Sequence, residues 1–84
     1  MQKTARSSND LGHILKQYRL RDELTQTELA KKTQSHQRLI SRIESGNQGR
    51  TSHLLFNILK VLDLEIEIKP RQKTTAQDIA DMFK

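Results

Sequence analysis

The chain has 84 residues, no cysteine and a formal net charge of +5, which fits one small domain with neither a disulfide nor a thiolate zinc site. Aromatic residues are only 4% of it, too few for the exposed stacking platforms that hold single strands or RNA, so the basic balance points to duplex DNA as partner. No apolar run is long enough for a bilayer, and the polar stretch Met1 to Asp10 argues against a signal peptide; the expectation is a soluble, cytoplasmic protein.

Residues 1–8 read as a polar arm carrying Lys3 and Arg6. Ser8, Asn9 and Asp10 offer caps for a first helix near 10–22, whose Leu11, Leu15 and Tyr18 follow helical spacing. Ile14 and Leu20 lie off that stripe. Thr25, Gln26, Thr27 and Glu28 form a capping-box pattern that starts a second helix near 26–32, with Leu29 and Ala30 facing inward. Thr33, Gln34 and Ser35 make a turn. A third helix follows near 36–45, with Leu39, Ile40 and Ile43 as its apolar residues, and stops at Gly46, where a helix end favours a left-handed residue.

After a loop at Asn47 to Arg50, Thr51 caps a strongly apolar helix near 52–62. Leu55, Phe56, Ile58, Leu59 and Leu62 are expected to supply the largest share of the core. This helix is apolar on more than one side, so part of it can face another chain. The period then changes: Leu64 to Lys69 alternates strictly, the mark of a half-buried strand, and Pro70 ends it. A lone strand leaves its backbone groups unpaired. Glu65, Ile66, Glu67 and Ile68 either pair with the same strand of a second copy about a two-fold axis, the favoured expectation, or run as an extended tail over the helices. The tail 70–84 opens basic. Thr75 could cap a turn or two bearing Ile79, Met82 and Phe83, so the tail is either disordered or ordered by a partner.

The third helix carries Gln37, Arg38, Ser41 and Arg42 on one edge, and Gln and Arg are the side chains that make paired hydrogen bonds to adenine and guanine. Together, Thr25-Gln26-Thr27-Glu28-Leu29-Ala30, a turn, and Ile40-Ser41-Arg42-Ile43-Glu44-Ser45-Gly46 resemble the Cro/phage-repressor type of helix-turn-helix, the xenobiotic-response-element family. The resemblance covers roughly residues 11–64. It implies an all-α helix-turn-helix bundle of four to five helices, usually dimeric, within a domain spanning 9–69. The segment Phe56 to Ile68 narrows the likeness to the Hip-type antitoxins, which add a dimerising strand after the last helix, repress their own operon and bind a HipA-like serine/threonine kinase toxin.

The resemblance implies residue roles. His36, Gln37, Arg38, Ser41 and Arg42 would reach base edges. Gln26, Asn47, Gln48 and Arg50 would hold phosphates, together with the amides after Gly46. Leu39 would either touch a thymine methyl or pack. Arg19 and Glu44 match a family ion pair tying the first helix to the third, read as scaffold. The sequence also departs from the pattern. The motif turn normally carries Gly and then an apolar residue; here Gln34 and Ser35 stand there, and Glu23 replaces a Gly common between the first two helices. Gln at positive φ carries a strain that Gly avoids, so either Ser35 or His36 is expected to cap the third helix.

Outside this motif the chemistry is plain. Asp10, Asp22, Asp63, Asp78 and Asp81 do not pair at acid–base spacing, and His13, His36 and His53 lack metal-ligand spacing. No nucleophile motif or phosphate-cradling glycine loop appears, and Gly12, Gly46 and Gly49 are explained by a helix start and a loop. Lys31 and Lys32 read as solvated surface. The expectation is therefore a DNA-binding repressor without cofactor, metal or enzymatic activity. The alternatives are a stand-alone phage-type repressor, or a protein-binding module that has lost DNA binding.

Overall fold

The computed structural model describes residues 3–47 and 52–71. Those residues contain four helices: α1 (Ser8–Arg21), α2 (Gln26–Lys32), α3 (Gln37–Glu44) and α4 (Ser52–Val61). Each lies within about two residues of its predicted bounds, an ordinary spread for helix ends.

The starts of α1 and α2 follow from capping chemistry. Ser7, rather than Ser8, Asn9 or Asp10, caps α1: its hydroxyl accepts from the Asp10 amide at 3.0 Å. The Asp10 carboxylate turns back to accept from the Arg6 amide at 3.1 Å. That exchange satisfies donors which a helix start leaves open, and it moves the start upstream of the predicted one. The capping box of α2 forms as expected. Glu28 N–H donates to Thr25 Oγ1 at 3.0 Å, and Thr25 N–H donates to Glu28 Oε1 at 2.9 Å.

The helix ends share one solution. Glu23, Gln34, Gly46 and Asp63 all have positive φ, at 58°, 56°, 95° and 58°. In each case the next residue's amide bonds a carbonyl five positions back: Leu24 to Arg19, Ser35 to Ala30, Asn47 to Arg42 and Leu64 to Leu59, at 2.8 to 3.1 Å. This six-to-one bond through a left-handed residue is the Schellman closure. Only one of the four positions is glycine.

Leu15, Leu29, Ala30, Ile40, Ile43, Ile58, Leu59 and Leu62 form the buried core. α3 lies against both α1 and α2, and α4 closes on α2. Burying one such Leu or Ile side chain contributes about 1.5–3 kcal/mol. Gly12 is buried where α1 meets the end of α3. A Cβ there would lie 2.6 Å from the Glu44 carbonyl oxygen and against that of Ile43. Its role is this close approach, not the helix start expected from sequence.

One expectation, the make-up of the core on α4, is corrected. Phe56 is 57% exposed, so it does not join the core, and Leu55 is only partly buried. α4 turns Ile58, Leu59 and Leu62 inward, and at 100° per residue Phe56 falls off that face. Residues 64–71 carry neither helix nor strand. On its own chain the alternating segment Glu65, Ile66, Glu67 and Ile68 is covered unevenly: Ile66 is 45% exposed and Ile68 94%. A ladder needs a second edge, and the described residues offer none. The proposed cap Thr51 and the tail residues Thr75, Ile79, Met82 and Phe83 lie outside the described residues. No helix among the described residues is long and apolar enough to cross a membrane.

Candidate nucleic-acid interface

α3 separates its side chains by face. Ile40 and Ile43 point into the core, and Leu39 is half-buried. Gln37, Arg38, Ser41 and Arg42 recur at one- and four-residue steps, which places them along one edge of the helix. Gln37, Arg38 and Arg42 are exposed and Ser41 is half-buried. Two guanidinium groups and an amide thus share a solvent-facing edge beside the turn from α2.

His36 occupies the cap position of α3 in extended backbone, with φ −118° and ψ 147°, and makes no side-chain cap bond. Ser35 is not the cap either. Its hydroxyl oxygen is buried and has no partner among the described residues, and its amide donates to the Ala30 carbonyl in the closure of α2. Leu39 packs partly against the protein, so its side chain is not wholly presented to a groove.

Behind this edge lies a polar cluster that crosses three helices. The Arg19 and Glu44 side chains are 7% and 5% exposed, and Arg19 Nε donates to Glu44 Oε2 at 2.6 Å. Arg19 Nη2 donates to Glu44 Oε1 at 3.0 Å, and Nη1 donates to the Leu24 carbonyl at 2.7 Å. Such a forked pair satisfies both charges in a site where an unpaired one would be costly. Gln26, the first residue of α2, then donates from Nε2 to Glu44 Oε1 at 3.1 Å. Its Oε1 accepts from Gln37 Nε2 at 2.5 Å.

The sequence assigned Gln26 to a phosphate and Arg19–Glu44 to the scaffold, without linking the two. The pair joins α1 to α3 as expected, and Gln26 carries the connection out to Gln37. The available signal was the occurrence of Gln at the first position of both motif helices.

Asn47 is exposed, but its amide donates to the Arg42 carbonyl at 2.9 Å. That amide is engaged within the chain, and the amides that follow it to Arg50 lie outside the described residues. Gln48 and Arg50 lie outside the described residues. The Glu28 carboxyl is held below its ordinary pKa. The hydrogen bond from the Thr25 amide, and then that with the Thr25 hydroxyl, lower its pKa. No cluster of His, Asp or Glu among the described residues could hold a metal ion.

A helix-turn-helix family model matches residues 15–69. The chain belongs to this helix-turn-helix family. Its solved structural neighbours narrow the likeness to HipB. A singly substituted HipB in an O2 20mer complex matches with a TM-score of 0.77 and 29% identity over 86% of this chain and 100% of that one. The HipB-O4 20mer complex matches at 0.74 and 32% identity with the same coverage. The HipA-HipB-O2-O3 complex matches at 0.73 and 32%, again over 86% and 100%. The resemblance to the Hip-type antitoxins read from Phe56 to Ile68 is thus matched by the folded chain. No curated protein matches it.

Proposed function

We propose that this chain is a sequence-specific DNA-binding repressor, the antitoxin of a toxin–antitoxin pair, which represses its own operon in the cytoplasm and binds a HipA-like serine/threonine kinase. The observation that carries this reading is the match, over 86% of the chain, to HipB in 20mer complexes and in a complex with HipA. The exposed Gln37, Arg38 and Arg42 edge of α3 supports it, because these side chains can pair with base edges in the major groove.

In this reading α3 enters the groove, with His36, Gln37, Arg38, Ser41 and Arg42 toward the bases. Gln26, Asn47, Gln48 and Arg50 hold the sugar–phosphate backbone. Two copies pair through Glu65 to Ile68 and set their α3 helices in successive grooves about 34–36 Å apart, so the site is palindromic. The exposure of Ile66 and Ile68 supports that pairing. The kinase is held inactive by complex formation, with no catalytic residue supplied by this chain.

Replacing Arg38 or Arg42 with Ala should weaken a selected duplex by about 1–3 kcal/mol per lost base contact, with a much smaller change on random DNA. Titrations of both duplexes at one fixed salt concentration measure this, since phosphate contacts make affinity fall steeply with salt. Equal losses on the two would remove that arginine from base reading. A gel shift against the chain's own promoter separates the repressor from a protein-binding module, and co-purification with a kinase separates the antitoxin from a stand-alone repressor.

A further inference from the structure

We propose that the C-terminal tail, residues 72–84, folds back on its own chain and docks as two helical turns in a groove between the N-terminal arm, α1 and the 64–71 segment. The proposal is independent of how α3 meets DNA.

The groove follows from α1 having two apolar edges. Leu15 is turned into the core, while Leu11, Ile14 and Tyr18 recur at steps of three and four residues and are only half-buried. This second stripe lines a cavity of about 750 Å³, to which Leu59 and Leu64 add apolar surface. Pockets that enclose a drug-sized ligand span about 300–1,000 Å³, so there is room for a few side chains of a docked segment. The arm forms one wall, held along α1 by the bond from the Arg6 amide to Asp10 at 3.1 Å and by that from the Lys3 ammonium to Gln17. Residues 63–71 form another.

The position, pattern and charge of the tail fit it to this groove. Arg71, the last described residue, itself lines the cavity, so the tail begins at its mouth. The link from Arg71 to Thr75 spans up to about 13 Å when extended, enough to turn back. Thr75 is an N-cap type, and Ile79, Met82 and Phe83 recur at steps of three and four, which gives a helical segment one apolar stripe. Ala76 to Phe83 covers two turns, about 11 Å, and so does Leu11 to Tyr18. A segment this short does not hold a helix in water; burial of its stripe supplies what it lacks.

Charge sets the orientation. The arm wall carries only cations, Lys3 and Arg6, and neither forms an ion pair among the described residues. The other wall is mixed, with Asp63, Glu65 and Glu67 beside Lys69 and Arg71. At 100° per residue Asp78 and Asp81 lie along one flank of the tail's apolar stripe, and that flank faces the arm. The tail takes the α1 side of the groove and leaves the backbone edge of 65–68 for the pairing proposed above. A second copy or another protein would have to displace a ligand tethered at the mouth, at an effective concentration of roughly millimolar.

The chain has no cysteine, so Thr4→Cys, exposed on the arm wall, carries a single spin label in the full chain. Amide NMR signals of Ile79, Met82 and Phe83 should lose most of their intensity while the label is paramagnetic and regain it on reduction. Ile79→Ser combined with Phe83→Ser should restore the Met82 signal. The same pair should speed hydrogen exchange at Ala80 to Met82 about tenfold or more, because losing even one buried apolar side chain shifts an opening equilibrium by about that factor. Asp78→Lys with Asp81→Lys should act in the same direction, more strongly at low salt.

Tail signals untouched by the label overturn the proposal. So do equal losses in the serine double variant, which would mean that tethering alone brings the tail near the arm. Mixing spin-labelled chains with label-free, isotope-enriched chains tests the occupant: losses seen only across chains give the groove to the tail of a second copy. Losses that appear only after a HipA-like kinase is added give the tail to that partner. Either result overturns docking within the chain.

Discussion

A single carboxylate shows how much local order this short chain draws from side chains. Glu28 closes the start of α2 by accepting from the Thr25 amide, and it is exposed while doing so. Its pKa is lowered first by that backbone bond and then by the bond with the Thr25 hydroxyl. The sign of the consequence follows. A depressed carboxylate pKa in the folded state means that the unfolded state binds its proton first as pH falls. The stabilisation is fully present above the unfolded value and is lost as pH drops through the lowered folded one. Glu28→Gln retains an acceptor for Thr25 but no charge. Melting temperature followed against pH should therefore fall less steeply at acid pH in Glu28→Gln than in wild type. Identical acid slopes would mean that the capping carboxylate is not what titrates.

At the scale of the element, the ends of the helices decide the geometry of the motif. α1, α2 and α4 end on Glu23, Gln34 and Asp63 in the left-handed region, where a side chain costs about 1–2 kcal/mol that glycine does not. After Glu23 and Asp63 the chain places Leu24 and Leu64, which pack against the core and supply the apolar contact such closures favour. After Gln34 it places Ser35, whose buried hydroxyl has no partner among the described residues. The turn between α2 and α3 is thus the weakest of these closures on both counts. Gln34→Gly and Ser35→Ala should each raise stability by about 1 kcal/mol, from relief of left-handed strain and from removal of an orphaned hydroxyl. The two sites adjoin, so the double variant need not show the sum. Urea unfolding with a higher midpoint and unchanged slope would show the gain; a lower midpoint for Ser35→Ala would mean that the hydroxyl is bonded. The strain at Glu23 and Gln34 was legible in the sequence because a glycine was expected there. Asp63 was not, since it reads as the run-in to the alternating segment. The capping box was legible because its two bonds are local. Gly12 and the Gln26 bridge were not, because each depends on which atoms of α3 the fold brings alongside.

For the whole molecule the open question is what completes the 64–71 segment. Among the described residues no backbone–backbone hydrogen bond reaches 65–71, and Ile68 is 94% exposed. In the proposed reading one α3 helix would contact only a few base pairs, and a genome offers a very large excess of competing sites. A symmetric pair of chains answers both difficulties. The alternating strand finds its own copy as an edge partner, its isoleucines gain cover, and the two reading helices bind a palindrome as one ligand whose affinity far exceeds that of either alone. The proposed pairing and the proposed DNA reading are therefore coupled, and one substitution tests the link. Ile66→Lys sets like charges facing across the two-fold axis while leaving α1 to α4 untouched. Light scattering should report monomer where wild type is a dimer, circular dichroism should be unchanged, and binding to a palindromic duplex should drop far more than binding to a single half-site. If Ile66→Lys remained a tight dimer, the contact between copies would have to be sought elsewhere, with the exposed Phe56 face of α4 the first place to substitute.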